Sequence, residues 1–76
     1  RAYRAVAAEE IRTLCYAALQ DISLLLAARS SLEARVLYLK MRGDYYRYLT
    51  EATAGEEACD AMRLGAEAFD TAHGLA

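Results

Sequence analysis

The chain has 76 residues, enough for one small domain, yet a chain of that size buries only about 60% of its unfolded surface and is marginal alone. Hydrophobic residues make up 57% of it, more than so small a body can hide, which points to faces made for further protein. The formal net charge of −2, with no Arg/Lys stripe long enough to track a backbone, excludes nucleic acid as the ligand, and no apolar run approaches the roughly 20 residues of a membrane span.

Seventeen alanines and no proline favour helix throughout, because alanine is the best helix former and proline the strongest breaker. The expected fold class is therefore all-α. The opening residues, RAYRAVAAEE, begin without Met and form no apolar signal region, so residues 1–76 read as a single partial domain of a longer chain.

The first helix is expected over about 2–27. Within it Ile11, Cys15, Ala18, Ile22 and Leu25 recur at alternating spacings of four and three, a continuous apolar seam that Leu14, Leu24 and Leu26 widen. A turn follows at Ala28 to Ser31, where Ser30 and Glu33 stand in the relation of a capping box and start a second helix, about 31–53. Gly55 can supply a left-handed closing residue, and Glu56 and Glu57 then favour the start of a third helix, about 56–73. Its expected packing face is Cys59, Met62, Ala66 and Phe69. Connections this short imply antiparallel neighbours.

Cys15 and Cys59 stand singly, far apart, with one histidine in the chain and no C-x-x-C, so neither a disulfide framework nor a zinc site is expected. Both read as small buried hydrophobes of a reducing compartment, which points to a cytoplasmic protein. No metal and no cofactor is expected. Catalysis would need an organised nucleophile, and His73 has only Asp70 at a useful spacing, so no enzyme is expected.

Charge is unevenly placed. Residues 29–50 carry five bases against Glu33 and Asp44, whereas residues 51–76 hold six acids against Arg63 alone. A basic helix in an acidic whole concentrates positive potential locally. The centre of that region is LYLKMRGDYYRYLTE, Leu37 to Glu51, with the only lysine and four of the six tyrosines. On a helix, Lys40, Asp44, Arg47 and Glu51 fall within roughly 60° of one another, with Tyr48 on the flank. Tyr38, Tyr45, Leu49 and Ala52 form the opposite, apolar side, extended by Leu39 and Tyr46. Such a strip can be a solvated face laced with ion pairs. Against that, Lys40 to Asp44 and Arg47 to Glu51 both run base before acid, the weaker order for a helix, among mostly apolar or aromatic neighbours.

Residues Tyr38 to Glu51, YLKMRGDYYRYLTE, closely resemble the signature of the fifth helix of the 14-3-3 family, dimeric all-helical adaptors that bind phosphoserine and phosphothreonine motifs. Arg1 to Glu10 resembles part of that family's fourth helix, and Ala68-Phe69 a dipeptide of its sixth. The likeness spans most of these residues but only the middle third of a family member. It implies an antiparallel helical array, three helices of a larger 14-3-3-like domain.

It implies function too. Arg47 and Tyr48 match the arginine and tyrosine with which the family's fifth helix holds the phosphate, and Lys40 matches a lysine of the same groove. A phosphate monoester, with between about −1.5 and −2 charges, suits a guanidinium fork, an ammonium and a hydroxyl brought to one point. The family completes the pocket from its third helix, which this sequence does not contain. Asp44 and Glu51 then read as carboxylates that orient neighbouring bases, with plain surface pairing as the alternative. Tyr3 and Glu10 match dimer-interface positions, whereas Val6 stands where a pairing lysine is usual. Gly65, in place of a usual tyrosine, implies a third helix that packs differently or less tightly. The partners implied are phosphorylated client segments and a second related chain, forming a homodimer or heterodimer. A generic helical scaffold without phosphate dependence is the rival reading.

Overall fold

The structure, a computed structural model, describes residues 2–76, with side chains from residue 6 onward. Among the described residues there are three helices and no strand: α1, Ala2–Ala27; α2, Leu32–Ala52; and α3, Gly55–Leu75. They run antiparallel, with α2 packed against both α1 and α3, in a body of 44 × 19 × 14 Å. No described helix is long and apolar enough to cross a membrane.

Local chemistry sets the two turns. Ser31, in extended backbone, caps α2 by accepting the Ala34 N–H at 3.1 Å, with Glu33 in the first turn where the helix dipole favours a carboxylate. The cap is thus one residue later than expected: Ser30 takes no part in it, and its hydroxyl oxygen is buried without a partner. At the second turn Thr53 and Ala54 are extended, and Gly55 has a φ of 61°. That left-handed residue was expected to close α2; it opens α3 instead, costing glycine nothing and any other residue about 1–2 kcal/mol.

Packing of α1 on α2 centres on Cys15, Leu19 and Ile22, all buried. Ile11 and Leu25 from the expected seam are 44% and 42% exposed, and Leu14 and Leu24 more so, because three helices cover only part of the circumference of α1. Cys15, Leu19, Leu49 and Ala61 form the central cluster, with half-buried Tyr45 and Tyr46 packed against it. Leu49, 1% exposed, is its largest fully buried side chain. Arg42 of α2 donates to Ser23 Oγ at 3.0 Å, and Arg35 donates to the Leu26 carbonyl at 3.3 Å, so α2 is also strapped to the end of α1.

The α2–α3 contact corrects two expectations. The buried positions of α3 are Ala61, Gly65, Ala68 and Ala72, one step around the helix from the expected face. Small residues let the backbones approach. Of the expected face, Met62 is 63% exposed, whereas Phe69, 36% exposed, does pack on α2: its ring lies over Gly43, where a β carbon would stand 2.6 Å from Cζ. Nor is the packing loose at Gly65: a β carbon there would stand 3.1 Å from Tyr46 Cβ and 3.4 Å from the Gly43 carbonyl oxygen. Cys59, expected to be buried, is exposed on the same helix, whereas Cys15 is buried.

Candidate functional site

Leu39, Gly43 and Leu49 anchor α2 between its neighbours, and this leaves its charged strip facing outward. Lys40, Arg47, Tyr48 and Glu51 are exposed and Asp44 is half-exposed. The expected site residues of α2 therefore share one open face. Arg47 Nη2 donates to Asp44 Oδ1 at 3.1 Å, one helical turn back. Its guanidinium carbon also lies 5.6 Å from the centroid of the Tyr48 ring, within reach of a cation–π contact. Tyr48 in turn meets Tyr45 edge to face, with ring centroids 5.8 Å apart and planes at 88°. Lys40 and Glu51 have no ion-pair partner among the described residues, so neither base-before-acid pair of the sequence is formed.

Two shallow depressions flank the strip. Between α2 and α3 a volume of about 320 Å³ is bounded by Arg47, Thr50 and Glu51 on one wall and by Met62, Gly65 and Phe69 on the other. Between α1 and α2 a volume of about 340 Å³ lies among Ala7, Ala8, Ile11, Tyr48, Glu51 and Ala52. Arg47 and Tyr48 thus open toward different sides of the same ridge, and Glu51 borders both. Since an exposed pair such as Arg47–Asp44 contributes about 0–1 kcal/mol, the guanidinium can exchange its carboxylate for another anion at little cost.

Of the two dimer-interface candidates, Glu10 is exposed on α1 and Val6 nearby is 57% exposed, while Tyr3 lies in the first turn of α1 with its side chain outside those described. Among the described residues no cluster of three His, Cys, Asp or Glu is placed to hold a metal ion.

A second polar group escaped the sequence reading. Glu57 Oε2 accepts from Tyr16 Oη at 2.5 Å and from Arg12 Nε at 2.8 Å, joining α1 to the first turn of α3 across the edge of α2. These bonds hold the Glu57 carboxyl below its ordinary range, the phenol first and the guanidinium second. The same bond raises the Tyr16 hydroxyl. Arg12 and Tyr16 stand four apart on one helix, but their partner is more than 40 positions away, a distance at which local spacing carries no signal.

A comparison with solved structures finds no match. The model of the 14-3-3 protein family matches residues 1–76. By that match the chain belongs to the 14-3-3 family.

Proposed function

We propose that the chain is part of a phosphoserine- or phosphothreonine-dependent adaptor, which holds phosphorylated client segments rather than transforming them. The observation that carries this reading is the contact of Arg47 with the Tyr48 ring on an exposed ridge of the central helix. The guanidinium supplies two N–H donors and a full charge, and the phenol supplies a hydroxyl donor. Lys40 stands two turns away, about 10 Å along the axis, and adds positive potential along the path of a bound segment. Each charge-assisted bond contributes on the order of 1.5–3 kcal/mol, so Arg47 and Tyr48 together hold a phosphate only modestly. A second basic wall, from residues outside this sequence, completes the grip. Asp44 keeps the Arg47 fork oriented until a phosphate replaces it. Glu51, on the ridge between the two depressions, repels a misplaced acidic segment. In this reading the protein acts as a homodimer or heterodimer through the outer face of α1, with Glu10 and Tyr3 at the contact, and works in the cytoplasm without cofactor or catalysis.

The test is a titration of the full chain with a phosphoserine peptide and its unphosphorylated twin. Tighter binding of the phosphopeptide, lost in Arg47→Ala, is expected. Equal affinities overturn the reading and favour a scaffold that binds unmodified helices, for which the exposed Leu14, Leu24 and Met62 supply apolar surface.

A further inference from the structure

The sequence places Tyr45 among the core residues, and half of its surroundings fit that role: it packs against the cluster of Cys15, Leu19, Leu49 and Ala61. Its other contact leads outward. Tyr45 and Tyr48 are three apart on α2, so their rings meet on one side of the helix, at 5.8 Å and 88°. This is the edge-to-face arrangement that aromatic quadrupoles favour. Tyr48 is 43% exposed, and across the α1–α2 depression it faces only Ala7, Ala8 and the exposed Ile11, so among the described residues no aromatic ring other than Tyr45 is in place to fix its orientation. Arg47 rests against the same Tyr48 ring. The chain of contacts therefore runs from the rigid core through Tyr45 to Tyr48 and on to Arg47.

We infer that Tyr45 is a positioning residue of the phosphate site: its ring fixes the orientation of Tyr48, and through it that of the Arg47 guanidinium. The inference rests on the reading of Arg47 and Tyr48 as the phosphate-holding pair. Without the Tyr45 ring, Tyr48 is free to swing over the α1–α2 depression, and its hydroxyl and the Arg47 guanidinium beside it no longer hold a fixed relation to one anion. The penalty falls on phosphate recognition, since contacts to the rest of a bound segment do not pass through this stack.

The experiment compares the wild-type full chain with Tyr45→Phe and Tyr45→Leu. Each is titrated with a phosphoserine peptide and its unphosphorylated twin, and the ring-current shift of the Tyr48 aromatic protons is read by NMR. Tyr45→Phe keeps the ring and is expected to retain both the phosphate preference and the shift. Tyr45→Leu is expected to lose the shift and roughly three- to tenfold of the preference, the span expected from loss of one aromatic pair. Tyr45→Met, with a longer and more adaptable side chain, serves in its place if the leucine variant does not fold. An undiminished preference in the leucine or methionine variant overturns the inference, as does an equal loss in Tyr45→Phe. Absence of any phosphate preference in the wild type instead removes the function on which it rests.

Discussion

Gly65 of α3 and Tyr46 of α2 meet so closely that a β carbon on the glycine would stand 3.1 Å from the β carbon of the tyrosine. Both atoms belong to or adjoin the backbone, so neither can swing aside. Replacing Gly65 with Leu is expected to force the helices apart and to destabilise by about 1–3 kcal/mol. Gly74→Ala, where a β carbon meets nothing within 4 Å, is expected to be neutral or stabilising by up to about 1 kcal/mol. Urea denaturation of the two variants checks the contrast.

Leu49 and Arg47 lie two residues apart and should separate stability from recognition. Leu49 is 1% exposed at the heart of the cluster, and Leu49→Ala is expected to cost about 2–5 kcal/mol. Arg47→Ala, on the open ridge, is expected to change stability by no more than about 0.5 kcal/mol and to leave helix content intact. Circular dichroism with thermal melting measures both.

The Arg12–Tyr16–Glu57 group gives a pH signature. Glu57 is depressed in the folded chain, so its contribution is full above the ordinary glutamate value of 4.5 and disappears as pH falls through the lower, folded value. Tyr16 is raised, so its contribution is full below the ordinary 10.0 and disappears as pH rises through the higher, folded value. The melting temperatures of wild type and Glu57→Gln should differ most between those limits and converge on either side. A constant difference from acid to alkali would refute the pairing.

Thiol chemistry distinguishes the cysteines. Cys59 is exposed, whereas Cys15 is buried and its thiol is pushed up by burial. A thiol reagent under native conditions is expected to label Cys59 alone, with Cys15 following only in denaturant. Peptide mapping by mass spectrometry reads the order.

At the head of α2, Ser31→Ala removes a capping hydrogen bond and is expected to cost about 1 kcal/mol. Ser30→Ala removes a hydroxyl that has no partner and should be neutral or slightly stabilising. The comparison, again by denaturation, locates the cap.

Much of this architecture was legible because helix propensity and apolar spacing act locally: Cys15, Ile22, Leu39 and Leu49 are buried where the periodicity put them. What spacing could not tell was which stripe a neighbour would cover. On α3 the spacing pointed to Cys59, Met62, Ala66 and Phe69; Phe69 does pack, over Gly43, but the alanines and Gly65 beside it take the buried centre because they allow a closer backbone approach. Ser30 and Ser31 offered two caps of nearly equal local merit, and the path of the turn chose between them. On the charged strip, residue types and order were readable, but the choice of Asp44 over Glu51 as partner of Arg47 depends on side-chain rotamers. The Glu57 bridge needed the tertiary fold itself.

A helix flanked on both sides by close neighbours has little freedom to roll about its own axis. For α2, that restraint comes from the close approach of Gly43 and Gly65 on the α3 side, from the Arg35 and Arg42 bonds on the α1 side, and from Leu49 buried among residues of both. The ridge bearing Arg47 and Tyr48 consequently keeps a constant bearing relative to the other two helices. Under the proposed function, a client segment would encounter a surface already aligned, and little of its binding free energy would go into turning the helix to meet it.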